Sequence, residues 1–198
     1  MILDRILPYA RKLLQSTVKE GDITIDATIG NGHDTVFLAK LVGETGHVYG
    51  FDIQELAIQK TTEKINNENL SNQVTLLQRS HAEVKKVIPA SFHEKLKGAI
   101  FNLGYLPGSD KSVVTVPEST ISAIEHILEM MAPEGIIVVV IYHGHEGGEI
   151  EKDALMNFAQ NIPQDLAHVL TYRFINQANN PPFILAIEKR GLEKNCLI

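Results

Sequence analysis

The sequence predicts an α/β fold: an open, mostly parallel sheet of seven strands with helices on both faces and an antiparallel hairpin at its C-terminal end. Three observations carry this. The β-branched run Ile23-Thr24-Ile25-Asp26 breaks into the glycine turn Gly30-Asn31-Gly32 and opens a helix at His33, a strand–turn–helix unit. Ile136 to Ile141 is continuously aliphatic, as expected for a parallel strand covered on both faces. The last two β-like runs, 166–174 and 183–189, are joined through Asn176-Gln177-Ala178-Asn179-Asn180-Pro181-Pro182, a turn-rich link with no helix, so they pair antiparallel.

The remaining elements follow in order. Leu3, Ile6, Leu7, Ala10, Leu13 and Leu14 recur at helical spacing, predicting a lead-in helix over 3–18 with Pro8 near its start. A helix over 33–42 carries Phe37, Leu38, Leu41 and Val42 as its apolar stripe and stops at Gly43. Strands are expected at 47–51, 73–77, 98–102 and 136–142, and helices at 54–68, 118–131 and 149–160. Residues 1–190 read as one domain and 191–198 as a tail.

With 198 residues, 44% of them hydrophobic, the chain can bury one good core. No apolar run approaches the roughly eighteen residues of a membrane span, and the first helix is too charged for a secretory signal, so a cytoplasmic protein is expected. The single cysteine, Cys196, offers neither a disulfide framework nor a metal cluster. It is also poorly placed as the nucleophile that methylation of a pyrimidine ring carbon requires. A net charge of −6 disfavours broad polyanion binding but leaves room for a local basic patch.

The glycine turn is ringed by acceptors, Asp26, Asn31 and Asp34, where a phosphate loop would carry cations. Gly30 and Gly32 let the backbone approach a ligand closely. About twenty residues further on, Asp52 ends the next β-like run, the place where doubly wound folds grip a ribose hydroxyl pair. A ligand with a ribose and a positive charge but no phosphate is S-adenosylmethionine. A parallel sheet ending in a hairpin is also the plan of class I methyltransferases, whereas dinucleotide dehydrogenases end with another parallel crossover.

A second signature follows the fourth strand: Ala99-Ile100-Phe101-Asn102-Leu103-Gly104-Tyr105-Leu106-Pro107-Gly108. It falls near the topological switch, where open α/β sheets bind ligands. Asn102 can present oxygens to an amine, and Tyr105 a ring for a base to stack on. The segment resembles the Asn/Asp-Pro-Pro-aromatic loop of amino-group methyltransferases, with Leu103-Gly104 in place of the two prolines. Ser80-His81, after the third strand, lie against an adenine, cap a helix, or do both. His33 either meets the methionine carboxylate or occupies an exposed first turn. The segment His143-Gly144-His145-Glu146-Gly147-Gly148-Glu149 lacks the cysteines and helical histidine pair of a zinc site. It reads better as an active-site wall without metal, its imidazoles meeting a phosphate or a leaving proton.

Taken in order, Asp26-Ala27-Thr28-Ile29-Gly30-Asn31-Gly32-His33-Asp34-Thr35, Phe101-Asn102-Leu103-Gly104-Tyr105-Leu106-Pro107-Gly108, Tyr142-His143-Gly144-His145 and Asn180-Pro181-Pro182 resemble one family over nearly the whole chain. It is the compact class I methyltransferases once labelled rRNA methylases and now associated with wobble 5-aminomethyl-2-thiouridine of tRNA, the MnmM type. The resemblance implies methyl transfer from S-adenosylmethionine to the exocyclic primary amine, giving 5-methylaminomethyl-2-thiouridine. It implies cofactor contacts from Asp26, Thr28, Gly30, Asn31, Gly32, His33, Asp34, Asp52, Gln54, Ser80, His81 and Asn102. Tyr105, Leu106, Pro107, His143, His145 and Arg173 would face the substrate. Within that set Asn102 holds the amine, Tyr105 brackets the base and His143 relays the proton, with catalysis mainly by proximity and orientation.

The partner implied is a tRNA anticodon stem-loop. Arg79, Lys85, Lys86, Lys111 and Arg173 form either a basic rim for it or a solvated charged face. A homodimer would enlarge that surface. The rivals are a small-molecule N- or O-methyltransferase, which normally needs an enclosing insertion that is not visible here, an rRNA methyltransferase, and a non-catalytic RNA-binding scaffold, which would be expected to lose Asp52 or the glycine turn.

Overall fold

In the computed structural model, residues 2–104, 115–144 and 147–191 are described. The elements run α1 (Ile6–Thr17), β1 (Ile23–Asp26), α2 (His33–Val42), β2 (His47–Asp52), α3 (Glu55–Asn67), β3 (Val74–Gln78), α4 (Val84–Val87), β4 (Leu96–Leu103), α5 (Pro117–Met130), β5 (Ile136–Ile141), α6 (Gly148–Gln160), β6 (Ala167–Tyr172) and β7 (Phe183–Lys189). The strands form one sheet in the order β3-β2-β1-β4-β5-β7-β6. The five leftmost strands are parallel, and β7 runs antiparallel to both β5 and β6. The hairpin expected at the C-terminal end is therefore present, with β7 inserted between β5 and the edge strand β6.

Sheet side chains alternate between two apolar layers. Ile25, Phe51, Phe101, Val139 and Leu185 point to the face covered by α4, α5 and α6. Val48, Ile100, Val138, Val140 and Ile184 point to the face covered by α1, α2 and α3. All six side chains of β5 are buried, which is why its sequence carries no polar alternation. Strand β6 has no such cover, and four of its six residues are exposed.

The lead-in helix is shorter than the apolar spacing suggests. It starts at Ile6, leaving Leu3 outside and 60% exposed. Pro8 sits in the first turn, where its missing N–H has no intrahelical partner to lose. Ala10 and Leu14 of α1 are fully buried against the sheet, and Tyr9 stacks on Tyr172 of β6 with ring centroids 4.0 Å apart. Helix α4 has no counterpart among the predicted elements; a single turn anchored by Val84 and Ile88 is too short for a periodic pattern to register. The expected tail, 191–198, falls outside the described residues from 192 onward.

Because the chain builds outward from β1 to β2 and β3 and then returns to place β4 on the other side of β1, the connections leaving β1 and β4 diverge. The crevice between them opens at the carboxyl ends of the strands.

Candidate active site

A cavity of about 930 Å³ occupies that crevice, walled by the turns after β1, β2, β3, β4 and β5 and by one face of α1. The turn after β1 is built from within. Asp26 is completely buried, its Oδ2 accepting from Thr35 Oγ1 at 2.6 Å and its Oδ1 from the Thr28 N–H at 3.2 Å. Burial first, and then the charge of Asp34, push the Asp26 carboxyl up to about 7. Gly30 and Gly32 adopt the left-handed conformation, φ 54° and 73°. On α3, Lys64 Nζ donates to the Asn31 carbonyl at 2.7 Å and lies 3.3 Å from His33 Nδ1, closing the turn from outside.

Two of the expected cofactor contacts are placed off the cavity wall. Asp26 and Gly32 do not line the cavity. Asp26 is fully buried beneath the turn, each oxygen bonded within it. At Gly32 a Cβ would lie 2.5 Å from Thr61 Oγ1, so this glycine is required by packing against α3 and not by the approach of a ligand. Thr28, Gly30, Asn31, His33, Asp34, Asp52, Gln54, Ser80, His81 and Asn102 do line the cavity.

Asp52 closes the end of β2. Its Oδ2 accepts from the Gly30 N–H and its Oδ1 from the Gln54 N–H, each at 2.9 Å. A carboxylate oxygen can accept twice, so both oxygens keep a lone pair for a ligand, and the two backbone bonds fix where those lone pairs point. Beside it Ile53 is 54% exposed on the cavity wall, an apolar surface suited to a planar base. Across the cavity Ser80 accepts from the Ala82 N–H at 3.2 Å and also faces the cavity, so capping and lining coexist. His81 is buried, with Nδ1 3.0 Å from the Ala27 carbonyl and its ring edge-on to Phe101. A carbonyl only accepts, so Nδ1 carries the proton. Burial pushes the His81 pKa down, favouring the neutral ring.

Asn102 near the end of β4 is held at two points. Its backbone N–H donates to Thr28 Oγ1 at 2.7 Å, and its Nδ2 donates to Asp34 Oδ2 at 2.9 Å. The other Asp34 oxygen, Oδ1, accepts from Arg11 Nε and Nη2 at 2.9 and 2.8 Å. Arg11 comes from α1, its guanidinium 5.3 Å from the ring centre of Phe37. Tyr142 forms the opposite wall; burial, with the Asp34 charge second, pushes its hydroxyl pKa up.

The expected substrate side is only partly brought together. His143 is not on the cavity wall. Its Nδ1 donates to Glu149 Oε1 at 2.7 Å and its ring sits edge-on to Phe183, because successive residues leaving β5 point to opposite sides: Tyr142 takes the cavity and His143 the start of α6. Among the described residues, then, His143 is bonded to the start of α6 and not brought to the cavity wall. Arg173 is exposed one residue past the edge strand β6, separated from β4 by β5 and β7, and does not line the cavity either. Of the expected basic rim, Arg79 borders the cavity, while Lys85 is paired with Glu129 at 2.7 Å. Tyr105, Leu106, Pro107, Lys111 and His145 lie outside the described residues.

Arg11, Ile53 and Tyr142 are site residues that sequence reasoning missed. Ile53 follows Asp52 directly and Tyr142 precedes His143, so adjacency was an available signal for both. Leu7 and Arg11 are four residues apart on one helix face and both line the cavity, but nothing local says which way that face looks.

This strand order, with a cavity at the switch point and an acidic residue ending the second strand, defines a class I methyltransferase fold. The sequence profile of the family described as "Putative rRNA methylase" matches residues 48–188, and the chain belongs to this family. A family structure from Clostridium thermocellum superposes with a TM-score of 0.91 at 44% identity, covering 96% of this chain and all of that one (100%). A methyltransferase of Streptococcus mutans, SMU.1697c, in complex with SAH, superposes with a TM-score of 0.86 at 39% identity over 95% of this chain and 99% of its own. The chloroplastic tRNA (mnm(5)s(2)U34)-methyltransferase of Arabidopsis thaliana is 30% identical over 190 residues, which is 92% of this chain and 69% of that protein.

Proposed function

We propose that this methyltransferase uses S-adenosylmethionine to methylate the exocyclic amine of wobble 5-aminomethyl-2-thiouridine in tRNA. The observation that carries the reading is Asn102 itself. Asn102 lines the cavity, and with its NH2 turned to the Asp34 carboxylate its amide oxygen is available as an acceptor, which is what a primary amine nucleophile needs. The tRNA part is supported by the name of the Arabidopsis relative.

The residues fit the cofactor. Asp52 offers two directed lone pairs to a ribose diol, Ile53 an apolar surface to adenine, and neutral His81 adds no cation near the site. The complex of the S. mutans protein with SAH, the demethylated form of S-adenosylmethionine, supports the same assignment. When bound, S-adenosylmethionine supplies a methyl group activated by its sulfonium charge. The Asp34 charge is matched by Arg11, so the pair adds a fixed dipole to the cavity wall, and Asp52 is the carboxylate there with no side-chain cation bonded to it among the described residues.

A primary amine attacks only after losing its extra proton, and the enzyme then needs chiefly to align it. Asn102 Oδ1 accepts one N–H of the amine and so directs the nitrogen lone pair, while Tyr105 stacks on the base. Arg79 at the cavity mouth meets the RNA backbone.

The test is a competition. Bulk tRNA from cells lacking the final methylation accepts labelled methyl from S-adenosylmethionine in the presence of this protein, and a panel of small primary amines does not. Labelled small amines with silent tRNA would assign the chain to small-molecule methylation instead.

A further inference from the structure

We propose that Arg11 is a positioning residue for amine methylation, acting through Asp34 to keep Asn102 turned with Oδ1 toward the cavity. The inference rests on the function proposed above and extends it to a residue from the helix that precedes the first strand.

The chain of contacts is short and directional. Arg11 Nε and Nη2 both donate to Asp34 Oδ1, and Asn102 Nδ2 donates to Asp34 Oδ2. A carboxylate accepts and cannot donate. While Asp34 is ionised, the atom of the Asn102 amide that faces it must be the NH2, and the amide oxygen is left for the cavity. The orientation of Asn102 is thus set by chemistry and not by shape, since the two ends of an amide are nearly the same size.

Arg11 is what fixes that carboxylate in place. Asp34 is 13% exposed, so the two bonds from the Arg11 guanidinium to Oδ1 replace most of the water that would otherwise hold this carboxylate, and they fix its orientation. Without that anchor the Asp34 carboxylate can swing away from Nδ2, and the amide is then free to turn its NH2 to the cavity, presenting a donor to an amine that needs an acceptor. The guanidinium is itself held by Phe37. It is delivered by α1, whose buried residues Ala10 and Leu14 bracket Arg11 against the sheet.

The test has four readouts on wild type, Arg11→Ala, Arg11→Lys, Asn102→Ala and the double variant Arg11→Ala/Asn102→Ala: single-turnover methyl transfer to undermethylated tRNA, tRNA affinity by binding titration, SAH affinity by calorimetry, and the Asn102 side-chain NH2 pair in a 15N–1H spectrum of the protein alone. That pair is assigned by its loss in Asn102→Ala. Arg11→Ala is expected to slow transfer roughly ten- to a hundredfold, the scale on which small misplacements act, with SAH affinity changed less than about threefold. It is expected to cause no further loss in the Asn102→Ala background and to shift the NH2 pair toward solvent-exposed positions. Arg11→Lys keeps the charge with a poorer fit and is expected to fall between; it carries the same readouts should Arg11→Ala fail to fold.

The proposal is overturned if the losses of Arg11→Ala and Asn102→Ala multiply, if the loss appears in SAH or tRNA affinity, which would make Arg11 a direct contact for a carboxylate or phosphate, or if the Asn102 signals do not move. The spectrum needs no substrate. Should wild type methylate no tRNA, the substrate reading fails while the Asn102 signals still decide the role of Arg11.

Discussion

Replacing Asp26 with asparagine separates the structural carboxylate of the turn from the carboxylates that face the cavity. Asp26 is buried, bonded to Thr35 and Thr28, and pushed up to about 7 from an ordinary 3.8. The folded protein therefore holds this proton more tightly than the unfolded chain does. Stability contributed at this site is largest below about pH 4, falls as pH rises, and stops falling above about pH 7. From pH 5 to the plateau is about two pH units, worth about 3 kcal/mol at about 1.4 kcal/mol per unit. Asparagine has the same shape and nothing to lose: its oxygen can keep the Thr28 bond and its NH2 can donate to Thr35 Oγ1, which turns from donor to acceptor. Any cost of that exchange is the same at both pH values and cancels in the comparison. The stability difference between Asp26→Asn and wild type is thus expected to move by about 3 kcal/mol in favour of the variant between pH 5 and pH 8.5. Urea unfolding followed by far-ultraviolet circular dichroism at the two pH values measures it, and a difference that stays constant would refute the reasoning.

Further outcomes follow from the same geometry. Asp52→Ala is expected to weaken SAH binding by about 1.5–3 kcal/mol, roughly ten- to a hundredfold, in a protein that still folds; calorimetric titration checks this. Gly32→Val forces a Cβ to within 2.5 Å of Thr61 Oγ1 at a left-handed φ of 73°, and about 2–4 kcal/mol of stability should be lost. Gly32→Ala paired with Thr61→Ala removes the Oγ1 and Cγ2 contacts but keeps the Thr61 Cβ at 3.0 Å, so the backbone strain of about 1–2 kcal/mol and part of the crowding should remain, seen as partial recovery of Tm. Asn102→Ala should slow methyl transfer with tRNA affinity nearly intact, whereas Tyr105→Ala should cost about 1–3 kcal/mol in tRNA binding and Tyr105→Phe much less, as single-turnover rates and binding titrations would report.

What the sequence revealed of this fold was its local signals. The strand–turn–helix at Ile23 to Val42, the aliphatic β5 and the helix-free link before β7 each state their structure in a short continuous stretch of chain. Asp52 was legible because it ends a strand at a recognisable distance from a glycine turn. Long-range relations were not. The Arg11–Asp34 pair joins residues 23 apart and Asn102–Asp34 residues 68 apart, and no periodicity encodes either. The packing at Gly32 was hidden for a related reason: a positive φ is compatible both with a ligand approaching and with a neighbouring helix approaching, and Thr61 lies on an element whose packing the sequence does not display. The placement of His143 was not legible because a strand end has two sides, and its ring is bonded to Glu149.

Nucleoside mass spectrometry of tRNA from a strain deleted for this gene tests the proposed activity most directly. The expected result is loss of 5-methylaminomethyl-2-thiouridine with accumulation of 5-aminomethyl-2-thiouridine, reversed by wild-type protein and not by Asp52→Ala. Unchanged levels of both nucleosides in the deletion strain would contradict it.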